Sequence, residues 1–222
     1  MGDYDEAIRM LGLRNFHIYE GGEGKVTKQS GWAHLLRAWK RLADGKHEAA
    51  IEDLRAALVI PPNFGEGRNY FAQEAHIHFN LGAAHERMGD ATAARDFYRK
   101  AAEEGHGVTE ITYYQGKALR KLGREAEARD KFKALAGTGE DFLRRDGTPG
   151  YFGVGMAIPL PFGGDVRNNN RITGFFLRGL GRLGLGEAEA ASVDFDALRG
   201  EDPHYAPLEY MLSLGCLGCG EG

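Results

Sequence analysis

Small and large apolar residues recur along the chain in a fixed order that predicts pairs of helices. A small residue is followed after seven positions by a glycine, after five more by a second small residue, and after four more by a large apolar one. In the four copies the first small residue is Ala38, Gly82, Gly116 and Gly179, and the glycine is Gly45, Gly89, Gly123 and Gly186. The second small residue is Ala50, Ala94, Ala128 and Ala191, and the large apolar residue is Leu54, Tyr98, Phe132 and Phe195. Columns kept in step through four copies are typical of a helix–turn–helix repeat of about 34 residues.

Each column has a physical role in such a repeat. The glycine of the turn ends the first helix, because glycine enters the left-handed region without a clash at Cβ. We expect the two small residues to face each other, so that the backbones approach closely, and the large residue to fill the space between units. The pattern therefore predicts an all-α chain of stacked helical hairpins.

The spacing of the turn glycines predicts where the hairpins lie. The glycines are 44, 34 and 63 residues apart, which indicates two inserted loops, at 61–73 and 137–168. The predicted single solenoid domain, 1–222, consists of a partial unit at 2–14, units at about 28–60, 74–104, 109–137 and 169–201, and a terminal helix at about 204–214.

The start of the chain aligns with the middle of a unit. The segment Gly2-Asp3-Tyr4-Asp5-Glu6-Ala7 corresponds to 89–94, which is a turn and the beginning of a second helix. The matching first helix would precede residue 1, unless the helix at 2–14 stands alone as a cap. We expect its apolar side to pack against an upstream domain of the same parent chain or against another copy, as in a homodimer.

This arrangement resembles the tetratricopeptide repeat (TPR) family over most of the chain. The resemblance implies an α-α superhelix of TPR-like hairpins whose concave groove is lined by the first helix of each unit. Carried over by position, the groove candidates are Trp32, Trp39, His76, Phe79, Tyr113, Lys117, Arg120 and Phe176. Aromatic faces beside fixed polar groups suit peptides and sugars alike. The alternative is that the aromatics pack between helices and the charges form a solvated edge.

The glycine-rich stretch at 20–25 is a further candidate for binding. A phosphate-binding loop needs a glycine five positions before the Gly-Lys pair and a Ser or Thr after it, but Tyr19 and Val26 stand there. The stretch is either a flexible connector or a structured loop that folds over the groove. In the second case, Glu20 and Lys25 would contact the ligand.

Composition excludes several classes of function. The chain has 222 residues, of which 42% are hydrophobic and 27% charged, as in an ordinary globular protein. The net charge of −4 gives no sign of nucleic-acid binding. No apolar run approaches the roughly 20 residues of a membrane span, and no secretory start is present. We expect a cytoplasmic protein that contacts neither membrane nor nucleic acid.

Residues that bind metals or perform catalysis are not grouped in a known motif. Cys216 and Cys219 form one Cys-x2-Cys pair in the tail, with no second pair to complete a zinc site. His78 and His85 share a helix face but lie ~10 Å apart along it, so structural packing is favoured over metal binding. No nucleophile elbow or His-Glu-x2-His pair occurs. We predict no catalytic residue, no metal and no cofactor.

The irregular segments narrow the resemblance. Residues 14–26, 77–82, 114–123 and 169–172 look like segments of one bacterial family, and Glu20-Gly-Gly-Glu-Gly-Lys25 is the most distinctive of them. Members of that family carry a large N-terminal region of unknown function before C-terminal TPRs. That region resembles carbohydrate-related domains of the mutarotase type, so the resemblance implies a link to sugar metabolism. The chain departs from the family at Thr173-Gly174 and in its Gly/Cys tail.

Two functions follow from these observations. The first is a non-catalytic TPR module that binds a peptide, a neighbouring domain or a partner protein through its concave face. The alternative is a carbohydrate-binding or active-site-completing C-terminal part of a larger carbohydrate-active enzyme, with an oligosaccharide held under the inserted loops. No motif favours an enzyme in its own right.

Overall fold

The computed structural model of the protein describes residues 2–17, 22–68, 73–105, 107–145 and 166–213. Within these ranges the chain forms α-helices, a single 3-10 turn at Pro62–Phe64 and no strand. The helices are α1 (Tyr4–Leu13), α2 (Lys25–Ala43), α3 (His47–Ala56), α4 (Ala75–Arg87), α5 (Ala91–Glu103), α6 (Thr112–Lys121), α7 (Glu125–Arg144), α8 (Val166–Leu185), α9 (Ala188–Glu201) and α10 (Ala206–Ser213).

The helices pack as consecutive hairpins. Helix α2 pairs with α3, α4 with α5, α6 with α7 and α8 with α9, and each hairpin also contacts the next one along the chain. Helices α4, α6 and α8 contact one another in order, so the first helices of the units share one face. The predicted fold class, an all-α TPR-like superhelix, is confirmed.

The turn glycines have the conformation that the pattern requires. Gly89 follows α4 with φ of 79°, and Gly123 follows α6 with φ of 76°. The N–H of Asp90 donates to the carbonyl of His85, and the N–H of Arg124 donates to the carbonyl of Leu119, which satisfies the last free carbonyls of each helix. These bonds turn the chain directly into the second helix of the hairpin.

The glycines in the first helices of the hairpins lie directly against the large aromatic residue of the same hairpin. A Cβ on Gly82 would lie 2.6 Å from the ring of Tyr98, and a Cβ on Gly116 would lie 2.5 Å from the ring of Phe132. Any side chain at these two positions would therefore clash with the ring, and the glycine permits the close contact between ring and helix.

Buried arginine–aspartate clusters join helices in the first and fourth hairpins. Arg37 on α2 binds Asp53 on α3 at 2.6 Å and Asp5 on α1 at 2.7 Å. Arg178 on α8 binds Asp194 on α9 at 2.7 Å, and it also contacts the preceding helix α7. Helix α1 and helix α7 thus each supply an acidic side chain to the cluster of the helix that follows them, α1 from its first turn and α7 from near its end.

The expected loop at 137–168 is shorter than predicted at both ends. Residues 137–144 continue α7, and residues 166–168 begin α8. Close contact between these helices depends on glycine: a Cβ on Gly139 would lie 2.5 Å from the backbone nitrogen of Arg178, and a Cβ on Gly174 would lie 2.9 Å from the carbonyl oxygen of Gly139. The departure at Thr173-Gly174 is thus part of a tight helix crossing. Residues 146–165 lie outside the described ranges.

Candidate functional site

The groove aromatics predicted from the repeat positions are buried. Trp32, Phe79, Tyr113 and Phe176 are at most 4% exposed. They lie on α2, α4, α6 and α8, so each hairpin contributes one of them. The alternative in which the aromatics are packed therefore describes this structure, and the groove is not an open surface.

The C-terminal helix covers this groove. The ring of Tyr210 lies 5.2 Å from that of Trp32 on the first hairpin, and Tyr205 meets Phe176 on the fourth hairpin edge to face at 5.2 Å. Because Trp32 and Phe176 belong to the two ends of the repeat array, the segment 205–210 bridges the groove from end to end.

Aliphatic side chains of α10 fill the space between these two contacts. Leu208 and Met211 are each 1% exposed and join the core cluster that contains Phe79 and Tyr113. Burial raises the pKa of Tyr205 to about 12, with Glu110 and Asp202 adding to the effect. The phenol is therefore neutral at physiological pH, as its place under α10 requires.

His76 lies beneath the same cover. Its ring is 5.3 Å from that of Trp32 and 6.0 Å from that of Tyr114, and its Nδ1 is buried without a hydrogen-bond partner among the described residues. Burial lowers the pKa of His76 to about 4; the nearby carboxylate of Glu110 opposes this shift, whereas Lys28 adds to it. The imidazole is thus neutral near pH 7.

Lys117 covers the next two aromatics along the groove. Its Nζ lies 5.0 Å from the centre of the Phe79 ring and 5.9 Å from that of Tyr113. These are cation–π distances. The charge predicted in the middle of the groove is therefore packed on aromatic faces, with its side chain half-buried.

Arg120 and Trp39 hold neighbouring hairpins together. Arg120 binds Glu125 through two hydrogen bonds and donates at 2.9 Å to the carbonyl of Gly184 on α8. The indole Nε1 of Trp39 donates at 3.0 Å to Oδ1 of Asn80 on α4. Both side chains therefore have structural contacts that occupy their polar groups.

Of the glycine-rich stretch, only the second half is described. Glu20 lies outside the described residues, and Lys25 is the exposed first residue of α2. The carboxylate of Glu66 accepts hydrogen bonds from the N–H groups of Gly24 at 2.7 Å and Thr27 at 3.3 Å, and from the Thr27 hydroxyl. Burial would raise the pKa of Glu66, but these bonds lower it. This carboxylate fixes the start of α2.

The remaining candidates concern metal binding and membrane spans. His78 and His85 stack on Phe97 at 6.4 and 5.3 Å. Among the described residues, no three His, Cys, Asp or Glu side chains are grouped closely enough to hold a metal ion. In the same part of the chain, no helix is both long enough and apolar enough to cross a bilayer. Cys216 and Cys219 lie outside the described residues.

The covering role of α10 was not predicted from the sequence. The recurring positions of the repeat end at Phe195, and the pattern predicted a terminal helix without indicating where it packs. A signal was present in the large apolar residues Tyr205, Leu208 and Met211, spaced three apart and following Pro203. Such spacing indicates a helix with one buried side.

Residues 75–104 match the family model of the tetratricopeptide repeat. The match covers α4 and α5, which form the second hairpin. Helix α4 of this matched unit carries His76 and Phe79, two of the eight groove candidates.

Proposed function

We propose that this chain is a non-catalytic interaction module that binds a helical segment of a partner protein along its concave face, and that α10 occupies this face in the free chain. The TPR match supports a role in protein interaction. The observation that carries the proposal is the seating of α10, through Leu208 and Met211, among the groove aromatics.

The contacts of α10 indicate the chemistry of the partner. An amphipathic helix that places apolar anchors at intervals of three to four residues can lay one side into a groove of this kind. In α10 the anchors are Leu208 and Met211; Tyr205 precedes them and Tyr210 lies between them. We infer that the partner segment combines aliphatic and aromatic anchors.

Displacement of α10 is energetically reasonable because the helix is short. It has 8 residues, and isolated helices below roughly 12–15 residues are marginal in water. Its position therefore depends on packing in the groove. A longer helix with the same anchors would bury more apolar area and compete with it.

The test uses the full chain and a fluorescent synthetic peptide with the sequence of residues 203–213. Peptide binding is measured by anisotropy to the wild-type chain, to a Leu208→Ala/Met211→Ala variant, and to an Ala206→Ser control at an exposed position of α10. We expect the double variant to bind the peptide about tenfold more tightly, because its own helix competes less well for the groove.

Equal affinities for all three chains, with circular dichroism showing that the double variant is folded, would contradict the proposal. Absence of peptide binding to any of the chains would contradict it as well.

A further inference from the structure

A second concave region lies beside the covered groove. It is a pocket of about 990 Å³ where the first turns of α2 face the connections that lead into α4 and α6. Ligand sites for small molecules typically occupy about 300–1,000 Å³. Its lining includes Gly31 and Trp32 of α2, His76 of α4 and Glu110 before α6. The first three hairpins all contribute to it.

The space in this pocket depends on a glycine that packing does not explain. Gly31 is buried in the second turn of α2, where glycine costs roughly 0.5–1 kcal/mol relative to alanine. A Cβ on Gly116 would lie 2.5 Å from Phe132, so packing requires that glycine. A Cβ on Gly31 would come no nearer than 3.9 Å to another part of the structure, the carbonyl oxygen of Ala57. The missing side chain at Gly31 therefore adds room to the pocket instead of allowing a close helix contact.

The charges around the pocket are mostly negative. Its described lining contains the carboxylates of Glu23, Glu66, Glu74 and Glu110 and one lysine, Lys28. Lys28 binds Glu110 at 2.9 Å, and Arg68, which is not part of the lining, binds Glu74, so two of the four carboxylates have a cationic partner. Burial would raise the pKa of Glu110, but the charge of Lys28 beside it lowers that pKa, so the carboxylate is ionised near neutral pH. A site of this sign repels anions and attracts cations.

His76 supplies a polar group that the protein does not use. The side chain is 8% exposed, lines the pocket, and has a ring nitrogen without a partner among the described residues. A neutral imidazole has one nitrogen that accepts a hydrogen bond. In the tautomer that carries its proton on Nε2, the unpartnered Nδ1 is this acceptor, and an N–H donor of a ligand is then the complement of His76 as well as of Glu110.

From these observations we propose that the pocket binds a small organic cation, an amine or a guanidinium compound, at a site that adjoins the groove under α10 and shares Trp32 and His76 with it. The carboxylate of Glu110 and the imidazole of His76 accept hydrogen bonds from the cation, and the space beside Gly31 holds its hydrocarbon part. Among the described lining residues none belongs to α10, so binding of the cation does not require α10 to leave the groove.

The test is isothermal titration of the full wild-type chain with agmatine and with spermidine, at an ionic strength held constant with NaCl. Glutarate and myo-inositol serve as the anionic and neutral probes. We expect binding of at least one cation and of neither control probe. Glu110→Gln keeps the shape of the pocket and removes a charge, and it should weaken binding about tenfold.

A second variant blocks the space without removing a contact. Gly31→Leu places a good helix former where an added Cβ would make only an ordinary contact, 3.9 Å from the carbonyl oxygen of Ala57, so it should abolish binding while leaving the melting temperature unchanged or higher. Gly137→Leu, at an exposed glycine of α7, is the matched control and should bind normally.

The proposal is overturned if no cation binds, if glutarate or myo-inositol binds as well as the cations, or if Glu110→Gln binds with wild-type affinity. If Gly31→Leu does not fold, the comparison between the wild type and Glu110→Gln decides the outcome.

Discussion

Glycines in one helix can have opposite effects on stability, depending on what surrounds each Cα. Gly137 and Gly139 lie two residues apart in α7. A Cβ on Gly137 would meet nothing within 4 Å, whereas a Cβ on Gly139 would meet backbone atoms of α8 at 2.5 and 2.7 Å. Backbone atoms cannot move aside as the end of a flexible side chain can, so the second position does not tolerate alanine.

We predict that Gly137→Ala raises the free energy of unfolding by about 0.5–1 kcal/mol, because alanine loses less backbone entropy on folding. Gly139→Ala should lower it by about 2–3 kcal/mol, because the added methyl forces α7 and α8 apart. Urea denaturation of the two variants beside the wild type measures both changes. A Gly139→Ala variant as stable as the wild type would show that α7 and α8 are not in close contact at this crossing.

His76 couples the stability of the fold to pH. Its pKa is lowered to about 4 in the folded chain from an ordinary value of 6.5, so below pH 6.5 the unfolded chain binds a proton more readily than the folded chain does. The contribution of neutral His76 to the free energy of unfolding is therefore fully present above pH 6.5 and is lost as the pH falls towards 4. The pKa of His78 is also lowered by burial, and it contributes with the same sign.

We predict that the free energy of unfolding falls between pH 7 and pH 5, with about 2 kcal/mol of the decrease due to His76. In His76→Phe the decrease that is due to His76 should be absent, whereas in His78→Gln it should still be present. Denaturant titrations of the three chains at pH 5, 6 and 7 provide the comparison. The same pH dependence in His76→Phe as in the wild type would show that another group is responsible.

At the level of elements, the hairpins are joined by two kinds of contact. The apolar columns stack each aromatic ring against a small residue, as Tyr98 does on Gly82. The arginine–aspartate clusters of the first and fourth hairpins add a charged contact between the two helices. In the first hairpin Arg41 also binds Asp53, at 2.9 Å. At the equivalent positions of the second hairpin, Arg41 and Asp53 are replaced by His85 and Phe97, whose rings stack at 5.3 Å. The charged clusters are therefore alternatives to aromatic packing.

Loss of the carboxylate from such a cluster should be costly. Asp194 is 1% exposed and binds both Arg178 at 2.7 Å and Arg182 at 2.9 Å. We predict that Asp194→Asn lowers the free energy of unfolding by about 3 kcal/mol, because two half-buried guanidinium groups lose the buried carboxylate between them and keep only Glu140 nearby.

The matched control for this change is Asp196→Asn in the same helix. Asp196 is 69% exposed and pairs with Arg199 one turn away, so its replacement should change stability by less than about 0.5 kcal/mol. Thermal and urea denaturation would show the contrast. Equal effects of the two changes would mean that the buried cluster contributes no more than a surface pair.

The whole molecule is a repeat array whose inner face is covered by its own last helix. Helix α10 contacts α2, and the side chains of Tyr210 and Gln29 meet at 3.5 Å although they lie 181 positions apart in the chain. The cover therefore ties the end of the array to its beginning. In this state the groove aromatics are core residues; under the proposed function, they bind a partner when α10 leaves.

Removal of the cover should be visible in the fluorescence of Trp32. In a Trp39→Phe background, the only remaining tryptophan is Trp32, which stacks on Tyr210. We predict that adding Leu208→Asp displaces α10, because it places a charge in the apolar core, and that Trp32 emission then shifts to longer wavelength and becomes open to acrylamide quenching.

Asp196→Asn in the same background is the control and should leave the emission unchanged. If Leu208→Asp leaves the emission of Trp32 as it was, while circular dichroism still shows a folded chain, α10 does not cover the groove in solution.

The chain pattern alone was enough to predict the hairpins, their turn glycines and the all-α superhelix. These features depend on residues within one unit, where Gly89 ends α4 and Tyr98 packs back on Gly82, so the interacting groups recur at fixed short spacings. The same pattern predicted Trp32, Phe79, Tyr113 and Phe176 as the residues of the inner face. It did not show whether that face is open or covered.

That distinction depends on contacts between distant parts of the chain. No repeat spacing relates Tyr210 to Trp32 or Gly31 to Glu110. Gly31 also does not occupy one of the four recurring positions of the repeat pattern. The packing of α10 in the groove and the pocket beside it arise only when the hairpins curve and bring their first helices together. Curvature is set by all inter-helix contacts at once, including the backbone approach at Gly139, and for this reason a local pattern does not encode it.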